Sequence, residues 1–325
     1  MLILQKIDSL MYRKLADLKK EIKSRRNVKK DSKLSRIALK EYRVLWRSKK
    51  IDNTRRCYFS SFDRDGVVDE YVFHYLLQLK SAGFDTVFIT TSASISDQDI
   101  SRLQSVTIGV IQRSNFGLDF FSWKLGIKEF GLNDNRIIRV LFANDSVLGP
   151  IFNLGGYIEK MDSTDYDMVG FTASWDVAFH VQSYFLYCKQ NIIVSKLLEK
   201  FFSDIMVVSS KSELIRRYEV GFTQVLTRAG FLVGALVDHN DIARYSRDTS
   251  DIELRPKLSC GYDPSLLYWN RILLDRRTPF LKKKLVTLVG QNNGRMLVAL
   301  AEIFDADDSI VQFEMLLNYW KRVSC

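Results

Sequence analysis

The sequence predicts an α/β protein: a doubly wound, mostly parallel sheet, preceded by a basic helical arm and followed by a helical region. Three observations lead there. Between Arg56 and Val237, short apolar runs rich in β-branched and aromatic residues alternate with amphipathic stretches. Glycines such as Gly83 and Gly131 stop some of the amphipathic stretches. Charge is also uneven, with 19 Lys/Arg against 6 Asp/Glu in residues 1–56 of a 325-residue chain whose net charge is +10. The remainder of the chain therefore sums to −3, and the basicity belongs to the arm.

In the arm, Leu4, Ile7, Met11, Leu15, Leu18 and Ile22 recur every three or four residues among lysines and arginines. That is the pattern of an amphipathic helix, and a second helix is expected around Leu34–Trp46. Strands are expected at Cys57–Phe62, Thr86–Thr90, Thr107–Gln112 and Ile137–Ala143. Helices at Val68–Ala82, Ile100–Gln104 and Phe121–Phe130 separate them. This rhythm favours parallel strands joined by right-handed crossovers. After Pro150 the pattern gives a helix at Leu154–Met161, a strand at Met168–Thr172 and a strand at Phe231–Val237. Helices at Val181–Gln190, Ile193–Asp204 and Lys211–Arg228 lie between those two strands. Further helical segments are expected at Ser265–Leu274, Lys282–Gly290 and Asp308–Arg322. The chain thus divides into an arm (1–55), a sheet domain (56–245) and a helical carboxyl-terminal region (246–325), without repeats or low-complexity tracts.

Composition narrows the function classes. A hydrophobic content of 46% and a charged content of 26% suit a soluble globular protein. No apolar run approaches the ~20 residues of a bilayer span. The start, Met1 to Lys6, lacks the apolar core of a signal peptide, so cytoplasmic residence is expected. The four cysteines are scattered without a CxxC pair, which argues against a zinc site or a disulfide framework. With His74, His180 and His239 the only histidines, a metal would be held mainly by oxygen. The basic arm suits packing on its own domain, pairing with a partner helix, or contact with an anionic membrane surface. Nucleic acid is not expected as a partner, because no RNA-binding aromatic motif, zinc finger or glycine-clamp loop accompanies the charge.

Four polar clusters fall at expected strand ends or helix starts. The apolar run ending at Ala143 breaks into Asn144-Asp145-Ser146, with Gly149-Pro150 close behind. This delivers one carboxylate, between two short polar side chains, to the edge where open α/β sheets bind ligands. A hard cation bridging phosphates needs only one or two protein carboxylates. The others are Asp63-Arg64-Asp65-Gly66, the stretch from Arg113 to Asp119, and the stretch from Trp175-Asp176 to Ser183. Each also reads as turn chemistry, and Asp63 and Asp65 also suit a helix cap. One enzyme class using such an edge is a haloacid-dehalogenase-like phosphatase. Asp63 would be its nucleophile and Asp65 its acid/base, with Gly66, Thr90 or Thr91, and Mg²⁺ beside them. Against it, Ser60-Ser61 stands where that motif has an apolar lead-in.

The other class rests on a resemblance. Asp63-Arg64-Asp65-Gly66-Val67-Val68-Asp69-Glu70-Tyr71, Arg113-Ser114-Asn115-Phe116-Gly117-Leu118-Asp119-Phe120 with Trp123-Lys124, and Asn144-Asp145-Ser146-Val147-Leu148-Gly149-Pro150 carry it. So do His180-Val181-Gln182-Ser183-Tyr184-Phe185 and Tyr218-Glu219-Val220-Gly221-Phe222-Thr223, more weakly followed by Trp269-Asn270 and Pro279-Phe280-Leu281-Lys282-Lys283. Over roughly residues 56–290 the chain resembles the rhamnan synthesis protein F family of bacterial polysaccharide glycosyltransferases. The resemblance implies a GT-A-like sheet and a nucleotide-sugar donor, such as dTDP-rhamnose or another activated hexose. It also implies a lipid-linked glycan acceptor, hence an enzyme peripheral to the inner face of the cytoplasmic membrane.

Within that reading, Asp145 would hold a divalent cation, Mg²⁺ or Mn²⁺, against the charge that builds on a departing diphosphate. His239 is a weaker candidate contact. The motif carries one acid where a two-acid Asp-x-Asp is usual. Asn144 and Ser146 would orient waters or sugar hydroxyls, and Arg113 would grip phosphate in a two-pronged hydrogen bond. Asn115 and Asp119 suit sugar or ribose hydroxyls, Asp63 and Asp65 the nucleoside, and His180 the acceptor or phosphate. Glu219 or Asp176 would take the acceptor proton in an inverting transfer. A non-enzymatic alternative is a basic-arm scaffold on an inert α/β domain.

Overall fold

The computed structural model describes residues 30–132, 134–175, 177–208, 211–237, 239–248, 263–285, 300–301, 303–304 and 313–324. After α1 (30–38) and β1 (Tyr42–Arg47), the chain alternates through β2 (Arg55–Ser61), α2 (Glu70–Ser81), β3 (Phe84–Thr90), α3 (Asp97–Val106), β4 (Gly109–Arg113), α4 (Leu118–Phe130) and β5 (Arg139–Asn144). A two-residue β6 (Val147–Leu148), α5 (Leu154–Ser163), β7 (Met168–Ser174), β8 (His180–Val181) and β9 (Phe185–Lys189) follow. Next come α6 (Gln190–Val194), α7 (Leu197–Asp204), α8 (Lys211–Leu214), a π-helical turn (Ile215–Glu219), α9 (Val220–Arg228), β10 (Val233–Val237) and α10 (His239–Asp248). The last elements are α11 (Pro264–Leu267), α12 (Trp269–Leu274), β11 (Leu281–Lys282) and α13 (Phe313–Ser324).

The main sheet runs β1-β4-β3-β2-β5-β9-β7-β10, with β8 paired to β7. β4, β3, β2 and β5 are mutually parallel, as are β7 and β10. β9 lies antiparallel between β5 and β7. The sheet is thus mostly parallel with one inserted antiparallel strand.

Side-chain alternation builds two cores on this sheet. Cys57 and Phe59 of β2, Leu141 and Ala143 of β5, and Phe185 and Tyr187 of β9 face one layer, where α2 and α5 cover them. Tyr58, Val140, Phe142, Leu186 and Cys188 face the other, under α4, α7 and α9. Strands buried on both faces read as continuous apolar runs, which explains why β2, β3 and β5 were legible. Complete burial of an aromatic such as Phe142 contributes roughly 1.5–3 kcal/mol.

Two expected helices are corrected. Leu34–Trp46 is helical only to residue 38, and Tyr42–Arg47 forms an antiparallel edge strand on β4. Its aromatic and β-branched residues suit a ladder, while Ala38 and Leu34 anchor the preceding helix in the core. Val181–Gln190 is not a helix but contains the end of β8 and all of β9. A short apolar run has no period that separates strand from buried helix, and here the gap between β5 and β7 decides. The expected helix at Leu4–Ile22 lies outside the described residues, as do 286–290 and 308–312.

Carboxyl-terminal segments join the same body. Leu273, Phe280, Leu285 and Leu316 belong to the core beneath α2 and α5. β11 pairs with β6, setting Leu281 against Leu148 and Lys282 against Val147.

Candidate active site

At the carboxyl edge of the parallel strands lies a cleft of about 1120 Å³. Asp119, Asn144, Asp145, Ser146, His180 and Glu219 all line it, so distant sequence clusters meet in one place. Apolar strands end here because water-facing polar groups begin, and the crossovers leave this edge uncovered.

A hydrogen-bonded network fixes the strand ends. Asp119, in the first turn of α4, accepts from Ser60 Oγ at 2.9 Å and from Asn144 Nδ2 at 3.1 Å. Asn144 Oδ1 in turn accepts from the Ser146 amide at 3.0 Å and from Ser146 Oγ at 2.6 Å. Asp145 Oδ2 accepts from Ser61 Oγ at 3.0 Å and from the Phe62 amide at 3.3 Å. The Lys283 ammonium sits 3.2 Å from the same oxygen. Burial, with smaller help from the charges of Asp145 and Glu219, pushes the Asp119 carboxyl up to about 6.

Glu219 ends the π-helical turn, and its Oε1 accepts from the Ser183 amide at 2.7 Å. Such turns commonly mark functional positions in helices. His180 is buried, and its Nδ1 bonds the Ala178 carbonyl at 2.8 Å. A carbonyl only accepts, so Nδ1 carries the proton and Nε2 is the nitrogen left for other chemistry.

Asp63 and Asp65 also line the cleft. Asp63 Oδ1 accepts the amides of Asp65 and Val67, and Oδ2 pairs with Arg322 at 2.5 Å. The guanidinium of Arg322 also holds Asp69 at 2.5 Å and Asp65 at 3.5 Å. An Asp63 so engaged is a loop-ordering group rather than a poised nucleophile, which removes the support for the phosphatase reading. Gly66 has φ +78°, and a Cβ there would lie 2.5 Å from the Ser94 carbonyl oxygen. Its glycine character serves the chain's own close approach.

Arg113 does not reach the cleft, which corrects its expected grip on phosphate. Only 3% exposed, it bonds Ser122 Oγ through Nε and the carbonyls of Ser114, Phe116 and Leu118 through its Nη atoms. It ties the loop before α4 together. Asn115 is exposed on that loop, away from the cleft lining. Asp176 lies outside the described residues, and so does the side chain of His239, whose backbone begins α10.

The residues at Asp145 do not fit a cation cage. Its Oδ2 already accepts two hydrogen bonds and faces an ammonium group, which a divalent ion would have to displace. Among the described residues, no group of three or more His, Cys, Asp and Glu side chains is disposed to hold a metal.

Sequence reasoning passed over Ser60, Ser61, Lys283 and Arg322. The paired serines within an apolar strand were a visible signal, since buried hydroxyls need partners. Lys282-Lys283 stood in a matched stretch without an assigned role. Nothing local marked Arg322, whose partners are more than 250 residues away.

The family model of rhamnan synthesis protein F matches residues 86–321, which include the strand-end network apart from Ser60, Ser61 and Phe62. The chain belongs to the rhamnan synthesis protein F family. It is similar to the uncharacterized protein y4gN of Sinorhizobium fredii, with 25% identity over 62% of this chain and 54% of that protein. The virulence protein VirA of Vibrio anguillarum is 27% identical over 52% of this chain and 56% of its own length. The chain thus spans about half the length of these curated relatives. Among solved structures, the glycosyltransferase GlyE of Streptococcus pneumoniae aligns at 12% identity with a TM-score of 0.35, covering 84% of this chain and 64% of that one. Among the described residues, no helix is long and apolar enough to cross a membrane.

Proposed function

We propose that this chain is a nucleotide-sugar-dependent, inverting glycosyltransferase that adds a rhamnosyl or related hexosyl unit to a lipid-linked glycan, extending a bacterial surface polysaccharide. One observation carries the reading. In a chain of the rhamnan synthesis family, the carboxyl edge of a GT-A-like sheet gathers Asp119, Asn144, Asp145, Ser146 and Glu219 in a cleft large enough for a nucleotide sugar.

The nucleoside lies toward Asp63 and Asp65, and the sugar against Asn144, Ser146 and Asp119. Glu219 accepts the acceptor's hydroxyl proton while its Oε1 is steadied by the Ser183 amide. His180, lining the same cleft, bonds the acceptor or a phosphate through Nε2. The amino-terminal arm holds the enzyme at an anionic membrane surface, where a lipid-linked acceptor resides.

A thermal-shift panel of nucleotide sugars, run with Mg²⁺, with Mn²⁺ and with chelator, tests the reading through binding linkage. A nucleotide sugar that raises Tm supports it, and silence under every condition overturns it. With the donor so identified, Glu219→Gln should bind it normally while turnover falls by roughly 10²–10⁴-fold. Wild-type turnover in that variant removes Glu219 as the base.

A further inference from the structure

We infer that Lys283 is the cation that faces the donor's diphosphate and stabilises it as it departs, in the place a divalent metal ion would take. The inference rests on the transferase reading and names how that site handles charge.

Lys283 lies at the same end of the cleft as the Asn144-Asp145-Ser146 turn, and three contacts set it there. Its ammonium is 3.2 Å from Asp145 Oδ2. Its amide donates to the Ser146 carbonyl at 3.0 Å, so the backbones of the two segments are joined directly. The rings of Tyr71 and Tyr319 stand 5.0 and 5.1 Å from Nζ. Two π faces and one carboxylate hold the ammonium in place.

Of the cations lining the cleft, which also include Arg64 and Lys284, two are paired with other acids. Lys282 pairs with Asp263 at 2.5 Å, and Arg322 with Asp63 and Asp69. Lys283 alone among these three is paired with the strand-end acid. An ammonium has three N–H donors, so a bond to Asp145 leaves donors for phosphate oxygens. Asp145 then positions the lysine. A metal at Asp145 and an ammonium 3.2 Å from it would repel each other, so the two arrangements are alternatives.

In the transfer, the bond from the anomeric carbon to the β-phosphate oxygen breaks, and its electron pair leaves with that oxygen. The acceptor oxygen forms the new bond to the anomeric carbon, and its proton passes to Glu219. Lys283 keeps its proton throughout and donates hydrogen bonds to the oxygens that gain charge.

Calorimetric titration of the full chain with dTDP, UDP, GDP and ADP, and with the matching nucleosides, in EDTA and in Mg²⁺, tests this. A wild-type diphosphate affinity in EDTA within about threefold of that in Mg²⁺ is expected, since a tenfold change would already signal a lost charged contact. Lys283→Met should weaken diphosphate binding by about 10- to 100-fold and leave nucleoside binding unchanged, and Lys283→Arg should recover most of the loss. Diphosphate binding that requires Mg²⁺, or that Lys283→Met leaves intact, overturns the inference while the transferase reading stands. Absence of diphosphate binding under every condition overturns both. The wild-type comparison in EDTA needs no variant, so a misfolded Lys283→Met still leaves a decisive result.

Discussion

Asp119 Oδ2 and Asn144 Nδ2 lie 3.1 Å apart, bonding the first turn of α4 to the end of β5. Through that contact and the Ser60 hydroxyl, one carboxylate holds a helix and two strand ends together. The Asn144-Asp145-Ser146 turn is tied to α4 and β2 through it.

Asp119 should titrate far above an ordinary aspartate. Burial, opposed by the Ser60 hydrogen bond and reinforced by the Asp145 charge, raises it from 3.8 to about 6. The folded protein therefore binds this proton more tightly than the unfolded chain does. Its stabilising contribution is full below pH ~4 and is lost as pH rises through ~6. A ¹³C carboxyl titration should place its midpoint near 6. Asp145→Asn should lower that midpoint and Ser60→Ala should raise it, and unmoved midpoints would contradict the network.

Arg113→Met should fail in stability rather than in ligand recognition. It removes the charge-assisted bonds from the guanidinium to three carbonyls, at a cost of about 3–5 kcal/mol in chemical denaturation. A stable variant with weakened nucleotide binding would instead return Arg113 to the site.

Arg322→Met should leave Asp63 and Asp69 facing each other without their shared cation. Asp63 is held below its ordinary range despite burial, whereas burial raises Asp69. The expected loss is about 2 kcal/mol at pH 7, from charge-assisted bonds on a partly exposed side chain. The deficit should shrink as pH falls toward 4 and the carboxylates take up protons. A pH-independent deficit would show that packing, not charge, is what Arg322 supplies.

Removal of residues 1–29 should abolish binding to anionic vesicles. Residues from 30 onward belong to the fold, because Ala38 is in the core and Ser35 Oγ accepts from the Val207 amide at 2.8 Å. A cut at residue 50 would therefore cost stability as well. Undiminished vesicle co-sedimentation of the shorter truncation would refute the membrane role of the arm.

Much of the fold was legible because doubly buried strands declare themselves. β2, β3, β5, β7 and β10 read as apolar runs, and the helices between β2 and β5 carry an amphipathic period or a glycine stop. β9 was not legible, since Phe185-Leu186-Tyr187-Cys188 has the composition of a buried helix as readily as of a strand. The candidate site was legible in part. The strand-end clusters of Asp63, Asp119 and Asp145 do meet, but Arg113 turned inward, where its own loop offers three carbonyls to the guanidinium.

The sequence by itself determined the alternating α/β plan, the basic character of the arm and the family to which the chain belongs. These depend on local periodicity, composition and ordered motifs, all of which are written along the chain. Only the tertiary structure decided which charge answers Asp145. Lys283 lies 138 positions away in sequence, and the pairing of β11 with β6 brings it to 3.2 Å. Coulombic and hydrogen-bond contacts act over a few ångströms of space, whatever the separation along the chain.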